Sequence, residues 1–396
     1  MSRKRICIIS LALPIEIDIR LIKQIEYLAP HYDLTVIGYG NPERVQQHID
    51  SWQPIDRTQS RIQQIIERGL ILAGRLIPAL YNVWYWQRPR YKQAIQYARA
   101  SRADAFLAGD WAAIPIAARA AEQNQPIVFD ADEYWPGEVE SDRTWKLFFS
   151  PLITHIMHKY MKQVTASSTV SKPLADRYRE EFKLDPILVY NAPKFEVVPE
   201  RKIDPDHIRM IHQGSPVPNR RLETLIEAMT QANKRYTLHL MLTGAQDDPY
   251  LLSLKHLAEE AAPGRVFFYP PVYPMEIVQT IAKYDIGISV IPPATFTYHV
   301  ALPNKLFESV VAGQPVIAGP SPAMVEVINQ YRIGWITDDF SANALAKTLN
   351  MLTIEQIELA RKYAHEAAQV LNAEVEMAKM VNLFFSLLAK DSSRDT

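Results

Sequence analysis

At 396 residues, with 48% hydrophobic and 22% charged side chains, the chain is long enough for two globular cores rather than one. Its 43 Lys and Arg nearly cancel 44 Asp and Glu, which excludes a global field drawing it to nucleic acid or to an anionic surface, so a charge-driven partner must be met by a local patch. The single cysteine, Cys7, has no partner to oxidise with and lies in an apolar run, so it reads as a small buried hydrophobe in a reducing cytoplasm.

From the N-terminus, the basic Ser2 to Arg5 precedes an apolar stretch that Glu16, Asp18 and Arg20 interrupt, and no small-residue cleavage site follows, so no signal peptide is expected. No window approaches the length of uncharged apolar sequence that a transmembrane helix requires. Short β-branched runs alternate with longer amphipathic stretches: Ile6 to Ile9, Leu34 to Ile37, Ala105 to Ala108, Ile127 to Asp130, Val164 to Ser167 and Ile187 to Tyr190. That alternation predicts parallel strands with helical crossovers. After the proline-flanked Asn191 to Pro205 the rhythm restarts, at Ile208 to His212, Leu238 to Thr243, Val266 to Tyr269, Ile286 to Val290, Val316 to Ala318 and Trp335 to Thr337. The reading is two doubly wound α/β domains, 1–198 and 199–371, with a helix over 372–390 packing back on the first and disorder from Asp391 to Thr396.

In such sheets the residues just after each strand form the ligand site. In the first domain these include Asp110, Asp132 and Glu133, carboxylates suited to hydrogen-bonding sugar hydroxyls or to taking a proton from one; capping a helix is the plain alternative. Metal binding by these acids is not expected, because no Asp-x-Asp is placed to bridge a diphosphate. Residues 61–99 interleave Arg61, Arg68, Arg75, Arg88, Arg90, Lys92 and Arg99 with Tyr81, Trp84, Tyr85, Trp86, Tyr91 and Tyr97, against Glu67 alone. That mixture suits peripheral membrane contact, while two cross-packed helices would bury many of the rings; no nucleic-acid motif accompanies it.

In the second domain, Ile211 to Met229 reads as a strand ending at Gly214, a turn, and a helix with the stripe Leu222, Leu225, Ile226 and Met229. Gly214 and Ser215 place backbone amides at a strand end, and Arg220 stands at the predicted helix start, where phosphates bind well. Thr243 and Gly244 follow the next strand, and Tyr273 lies in the loop Pro270 to Ile277, where stacking on a base and an ordinary core or rim place are both open. The most informative stretch is Ala301 to Ala318. Pro303 suits a first helical turn, Leu306, Phe307, Val310 and Val311 form a buried stripe, and Gly313 stops the helix. Asn304, Lys305 and Glu308 then project from neighbouring exposed positions, giving a cation for a diphosphate and a carboxylate for a ribose diol.

The Pro303-x-Lys305-x-x-Glu308 pattern, followed by Gly313-x-Pro315-Val-Ile, resembles the donor site of the glycosyltransferase family 4 group, with further motifs of the second domain in that group's order. The resemblance implies the GT-B fold, two Rossmann-like domains facing each other across a cleft, and retaining transfer from a nucleotide-diphosphate sugar to an acceptor hydroxyl without a metal or other cofactor. It places Glu308 on the ribose, Lys305 and Arg220 on the phosphates, and the acceptor in the first domain, where Asp110 and Asp132 are the candidate catalytic carboxylates. A cytoplasmic enzyme, peripheral at the inner face of a membrane, is the corresponding expectation. Two features depart from the pattern. Val300 stands where the group has an earlier, sugar-contacting glutamate, leaving His299, Thr297 or backbone amides for that contact, and the segment Ser10 to Lys23 lacks the glycines that admit a phosphate, although Asp18 and Arg20 match. They leave open a non-catalytic nucleotide-sugar-binding subunit, and an epimerase of the same architecture is the further alternative.

Overall fold

The computed structural model describes residues 3–122, 125–139, 142–199, 201–300 and 302–392. The chain divides into two compact units, Met1–Val189 with Thr295–Thr297 and Met377–Thr396, and Tyr190–Ala294 with Tyr298–Glu376.

The first unit is a parallel sheet of seven strands, β1 (Arg5–Ile9), β2 (Asp33–Gly38), β3 (Ser51–Pro54), β4 (Ala105–Ala108), β5 (Ile127–Ala131), β6 (Ala166–Thr169) and β7 (Ile187–Leu188), ordered β3-β2-β1-β4-β5-β6-β7. The order reverses beside β1, so the loops after β1 and β4 open side by side. Helix α1 (Ile19–Leu28) begins where the Asp18 carboxylate accepts the Leu21 amide at 2.9 Å, and it turns Leu21, Ile22, Ile25 and Leu28 into the core. Three helices, α2 (Arg61–Gly74), α3 (Ala79–Gln87) and α4 (Pro89–Ala100), fill the connection from β3 to β4. They agree with the alternative in which packed helices bury many of the rings, with three helices in place of two: Tyr81, Trp84, Tyr85 and Tyr91 are buried, with Tyr85 stacked on Tyr91 at 4.2 Å and the Arg88 guanidinium 3.6 Å from the Trp84 ring centre.

The second unit holds six parallel strands, β8 (Ile208–Gly214), β9 (Tyr236–Leu242), β10 (Val266–Tyr269), β11 (Ile286–Ser289), β12 (Val316–Ala318) and β13 (Gly334–Ile336), ordered β10-β9-β8-β11-β12-β13. The two sheets with their helices make the α/β fold of two doubly wound units that the alternating pattern predicts. In β13, Gly334 has φ 157° and a Cβ there would fall 1.9 Å from the Val316 carbonyl oxygen, so β12 and β13 approach too closely for any side chain. Gly334→Ala is expected to lower the unfolding free energy by about 1–3 kcal/mol of backbone strain, measured as a shift in the urea midpoint at unchanged slope.

Several predicted boundaries move for identifiable reasons. Strand β3 carries no β-branched residue and ends in Pro54, which an edge strand tolerates, so its sequence gave no strand signal. Strand β6 starts two residues later than the apolar run and is Ala166-Ser-Ser-Thr169; of its buried hydroxyls, Ser168 donates to Asp130 at 2.6 Å and Thr169 to the Ala131 carbonyl at 2.6 Å, while that of Ser167 has no hydrogen-bond partner. The last helix runs Ala373–Ser392 and inserts Met380, Val381, Phe384 and Leu388 among Ile6, Ile8, Leu34 and Val36. Its seam is rotated from the expected one, leaving Val375 38% exposed. Asp391 and Ser392 continue this helix rather than ending in disorder, and 393–396 lie outside the described residues.

Candidate functional site

In the second unit, β8 carries the chain to Gly214 at φ 138° and delivers Gln213 and Gly214 beside the helix Asn304–Val311. Leu306, Phe307, Val310 and Val311 lock one side of that helix into the core, and this aims Lys305 and Glu308 the other way. A Cβ on Gly214 would lie 3.0 Å from an Arg220 terminal nitrogen and 3.4 Å from the Lys305 Nζ. Glycine here lets two cations converge on the backbone at a strand end. Arg220 Nη1 also donates to the Ser215 carbonyl at 3.1 Å, and the Thr243 hydroxyl donates to that of Ser215 at 3.0 Å. Gln213 donates its amide to the Glu308 carboxylate at 3.0 Å, which fixes the carboxylate's orientation.

The expectation that Lys305 lies on a solvated helix face is corrected. Its Nζ is buried and has no hydrogen-bond partner, and burial, followed by the Arg220 charge and against the pull of Glu308, pushes the ammonium down to about 7. The buried Arg220 Nε is likewise without a partner. A buried ammonium without a hydrogen-bonding partner beside a second cation is costly unless an anion joins them, so this corner of the unit favours a negative charge. Arg220 also moves: it closes a short turn, Pro218–Arg220, and the helix begins only at Glu223, after Arg221 adopts φ 47°. Sequence reasoning passed over His212. Its Nδ1 pairs with the Ile288 carbonyl at 2.8 Å, and burial first, then the Lys305 and Arg220 charges, push its pKa well down. It is therefore a neutral imidazole whose buried Nε2 is unpartnered. The signal was its place two residues before Gly214 on the same strand. Of the other expected donor groups, Tyr273 is 77% exposed, and Gly244 and Asn304 are exposed as well. Val300 is buried, and His299 is exposed. Ala301, at the head of the motif, lies outside the described residues.

In the first unit, the loops after β4 and β5 carry the expected carboxylates, and the structure separates their roles. Asp110 is 1% exposed, and its two oxygens accept four backbone amides: Leu11 and Ala12 (3.0 Å) on one, Ala112 (2.8 Å) and Ala113 (3.0 Å) on the other. This corrects its assignment as a catalytic or acceptor carboxylate: its lone pairs are spent on joining the loop after β1 to the loop after β4. Asp132 keeps a buried Oδ1 without a hydrogen-bond partner, and burial, then the Asp130 charge, push it well above the ordinary carboxylate range. Burial also raises Glu133, and Glu138, which the sequence reading missed, is pushed up to about 7 by burial and then by the charges of Glu133 and Asp110. Asp132, Glu133 and Glu138 thus form a run of carboxyls on one loop, each pushed upward first by burial. Among the described residues, no group of three or more His, Cys, Asp or Glu is placed to hold a metal ion, and no helix is long and apolar enough to cross a membrane.

Residues 194–370 match the family model described as glycosyl transferases group 1, a span that covers most of the second unit. No curated protein matches the chain significantly. Among solved structures, HepE of Anabaena, in complex with UDP and glucose, superposes with a TM-score of 0.70 at 15% identity, covering 97% of this chain and 100% of that one. Sucrose-phosphate synthase from Thermosynechococcus elongatus gives 0.70 at 15% identity over 98% and 100% of the two chains. The lipopolysaccharide outer core galactosyltransferase WaaB, in its apo form, gives 0.65 at 12% identity over 96% and 99%. At these identities the structures share the GT-B fold with this chain, and the family match places a glycosyl transferases group 1 region in its second half.

Proposed function

We propose that this chain is a glycosyltransferase of the family 4 type, taking a nucleotide-diphosphate sugar in its second unit and transferring the sugar to an acceptor hydroxyl with retention. The observation that carries the reading is the buried, hydrogen-bond-free Lys305 ammonium beside Arg220 at the glycine end of β8. In this reading Lys305 and Arg220 hold the diphosphate, and Glu308, oriented by Gln213, accepts the ribose hydroxyls. Both cations neutralise charge as it grows on the departing diphosphate, so leaving-group electrostatics and positioning supply the rate without a protein nucleophile. In this reading Asp132 and Glu133 serve the acceptor, their carboxyls raised by burial and placed after β5 to hydrogen-bond its hydroxyls. No metal or other cofactor enters the scheme. Because HepE was solved with UDP, uridine is the first base to try.

Buried Val300 favours a second reading, a non-catalytic nucleotide-sugar binder, because a valine offers nothing polar to the transferred sugar. Calorimetric titration of the full chain with UDP, GDP and ADP, followed by assay of UDP-sugar hydrolysis, separates the two. Micromolar binding of one nucleotide with slow donor hydrolysis is expected. Binding without any hydrolysis selects the binder, release of an altered sugar without an acceptor selects an epimerase, and no binding removes the donor site.

A further inference from the structure

Helix α2 is amphipathic in an unusual sense, because its apolar stripe points away from the unit it belongs to. Its inward side is set by Glu67, Ile71 and Gly74. Glu67 pairs with Arg88 as a buried ion pair, and a Cβ on Gly74 would fall 2.2 Å from the Tyr81 ring, so the helix lies tight against α3 in one rotation. At roughly 100° per residue, Ile62, Ile65, Ile66 and Leu72 occupy one arc of about 120° opposite that seam. Ile62 is 70% exposed and Ile65 68%, and Leu76, just past the helix, is 88% exposed. Isolated exposed leucines need no explanation, but a contiguous stripe of this kind marks a docking surface.

Charge identifies what docks there. Arg61, Arg68 and Arg75 recur every seventh residue, which lines them up along one border of the apolar arc, and all three are exposed. From Arg57 to Ala103 the sequence has one acid, Glu67, and it is already committed to Arg88. A second copy of this chain seated on the stripe would bring arginines to arginines and no carboxylate to meet them. An anionic bilayer supplies both halves of the complement: hydrocarbon for the isoleucines and phosphate for the arginine row. We propose that α2 lies flat in the surface of an anionic membrane, its Ile62–Leu76 stripe in the acyl boundary and Arg61, Arg68 and Arg75 at the headgroups. This rests on the first unit alone and is independent of the donor reading. It also narrows the contact expected for 61–99, because the aliphatic stripe, not the buried aromatics, meets the lipid.

The test is flotation of the full chain with phosphatidylcholine vesicles, with and without phosphatidylglycerol, at low and high salt. Binding is expected only with the anionic lipid, several-fold weaker at high salt, and reduced roughly tenfold or more by the Ile65→Glu/Leu72→Glu double variant. Both substitutions fall on exposed positions, and an unchanged melting temperature verifies that the variant folds. Arg61→Glu/Arg68→Glu is expected to remove the lipid preference. Equal binding to neutral vesicles, absence of binding to anionic ones, or unchanged binding by the folded double variant overturns the proposal. A concentration-dependent dimer in light scattering that the double variant abolishes overturns it in favour of a second copy.

Discussion

Lys305→Ala is expected to weaken nucleotide-diphosphate binding by about a hundredfold or more, the loss of one desolvated charge-assisted contact together with its bonds to two phosphates. The same substitution is not expected to destabilise the empty protein. Without its ligand Lys305 is a buried ammonium lacking a hydrogen bond, so the uncharged, well-packed Lys305→Met is expected to melt at the same temperature or higher. Function and stability thus oppose each other at this residue, as at other preorganised sites. The pH dependence follows from the ammonium's depression to about 7. Between that value and the ordinary lysine range the unfolded chain holds the proton and the folded chain does not, so this group's contribution to stability rises with pH across that window. A bound diphosphate restores the proton. Binding above pH 7 therefore takes up a proton, and affinity falls as pH rises. Titrations in two buffers of different ionisation enthalpy measure that uptake; equal apparent enthalpies in both would refute the role given to Lys305.

The parts of the molecule legible in its sequence are those where burial is apolar and local. Strands β4 and β12 coincide with their apolar runs, because their side chains are buried and apolar throughout. Strand β6 was displaced because its buried residues are serines and a threonine, and the partners of Ser168 and Thr169 lie on another strand that no window can see. The same limit explains Asp110: the amides that occupy it come partly from Leu11 and Ala12, about a hundred residues earlier. Lys305, Arg220 and Glu308 were visible because charged residues beside small ones at strand and helix ends have few other uses. What the sequence concealed was their desolvation, since the exposed face of an amphipathic pattern ceases to be exposed when a glycine strand end closes over it. On α2 the arginines and aromatic rings stood out in the sequence and not the stripe Ile62, Ile65, Ile66 and Leu72, which Glu67 binding Arg88 and Gly74 packing on Tyr81 turn outward.

The second large effect is expected at Arg20, which is 4% exposed and opposes Asp130, 2% exposed. Arg20 Nη2 donates to one Asp130 oxygen at 2.6 Å and its Nε to the other, while Nη1 reaches the Val189 carbonyl at 3.0 Å. Gln24 and Ser168 complete the carboxylate. Through this one fork, α1, β5 and the end of β7 are held together. Arg20→Met strands a buried carboxylate, and it is expected to cost about 3–5 kcal/mol, read as the urea midpoint at constant slope. Arg20→Lys recovers only part, because a point ammonium cannot reproduce the fork. The cost comes from the orphaned charge, not from any large net worth of the pair, so Arg20→Met/Asp130→Leu is expected to be more stable than Arg20→Met alone. If the double variant instead loses the sum of the single losses, the two side chains act independently and the pair is not what joins these elements. The removal of Arg20 also withdraws the positive charge that opposes the elevation of Asp132. If Asp132 serves the acceptor, any transfer activity left in Arg20→Met shifts its acid limb to higher pH, while Arg20→Lys, which keeps the charge, shifts it less, a contrast that loss of stability alone does not produce.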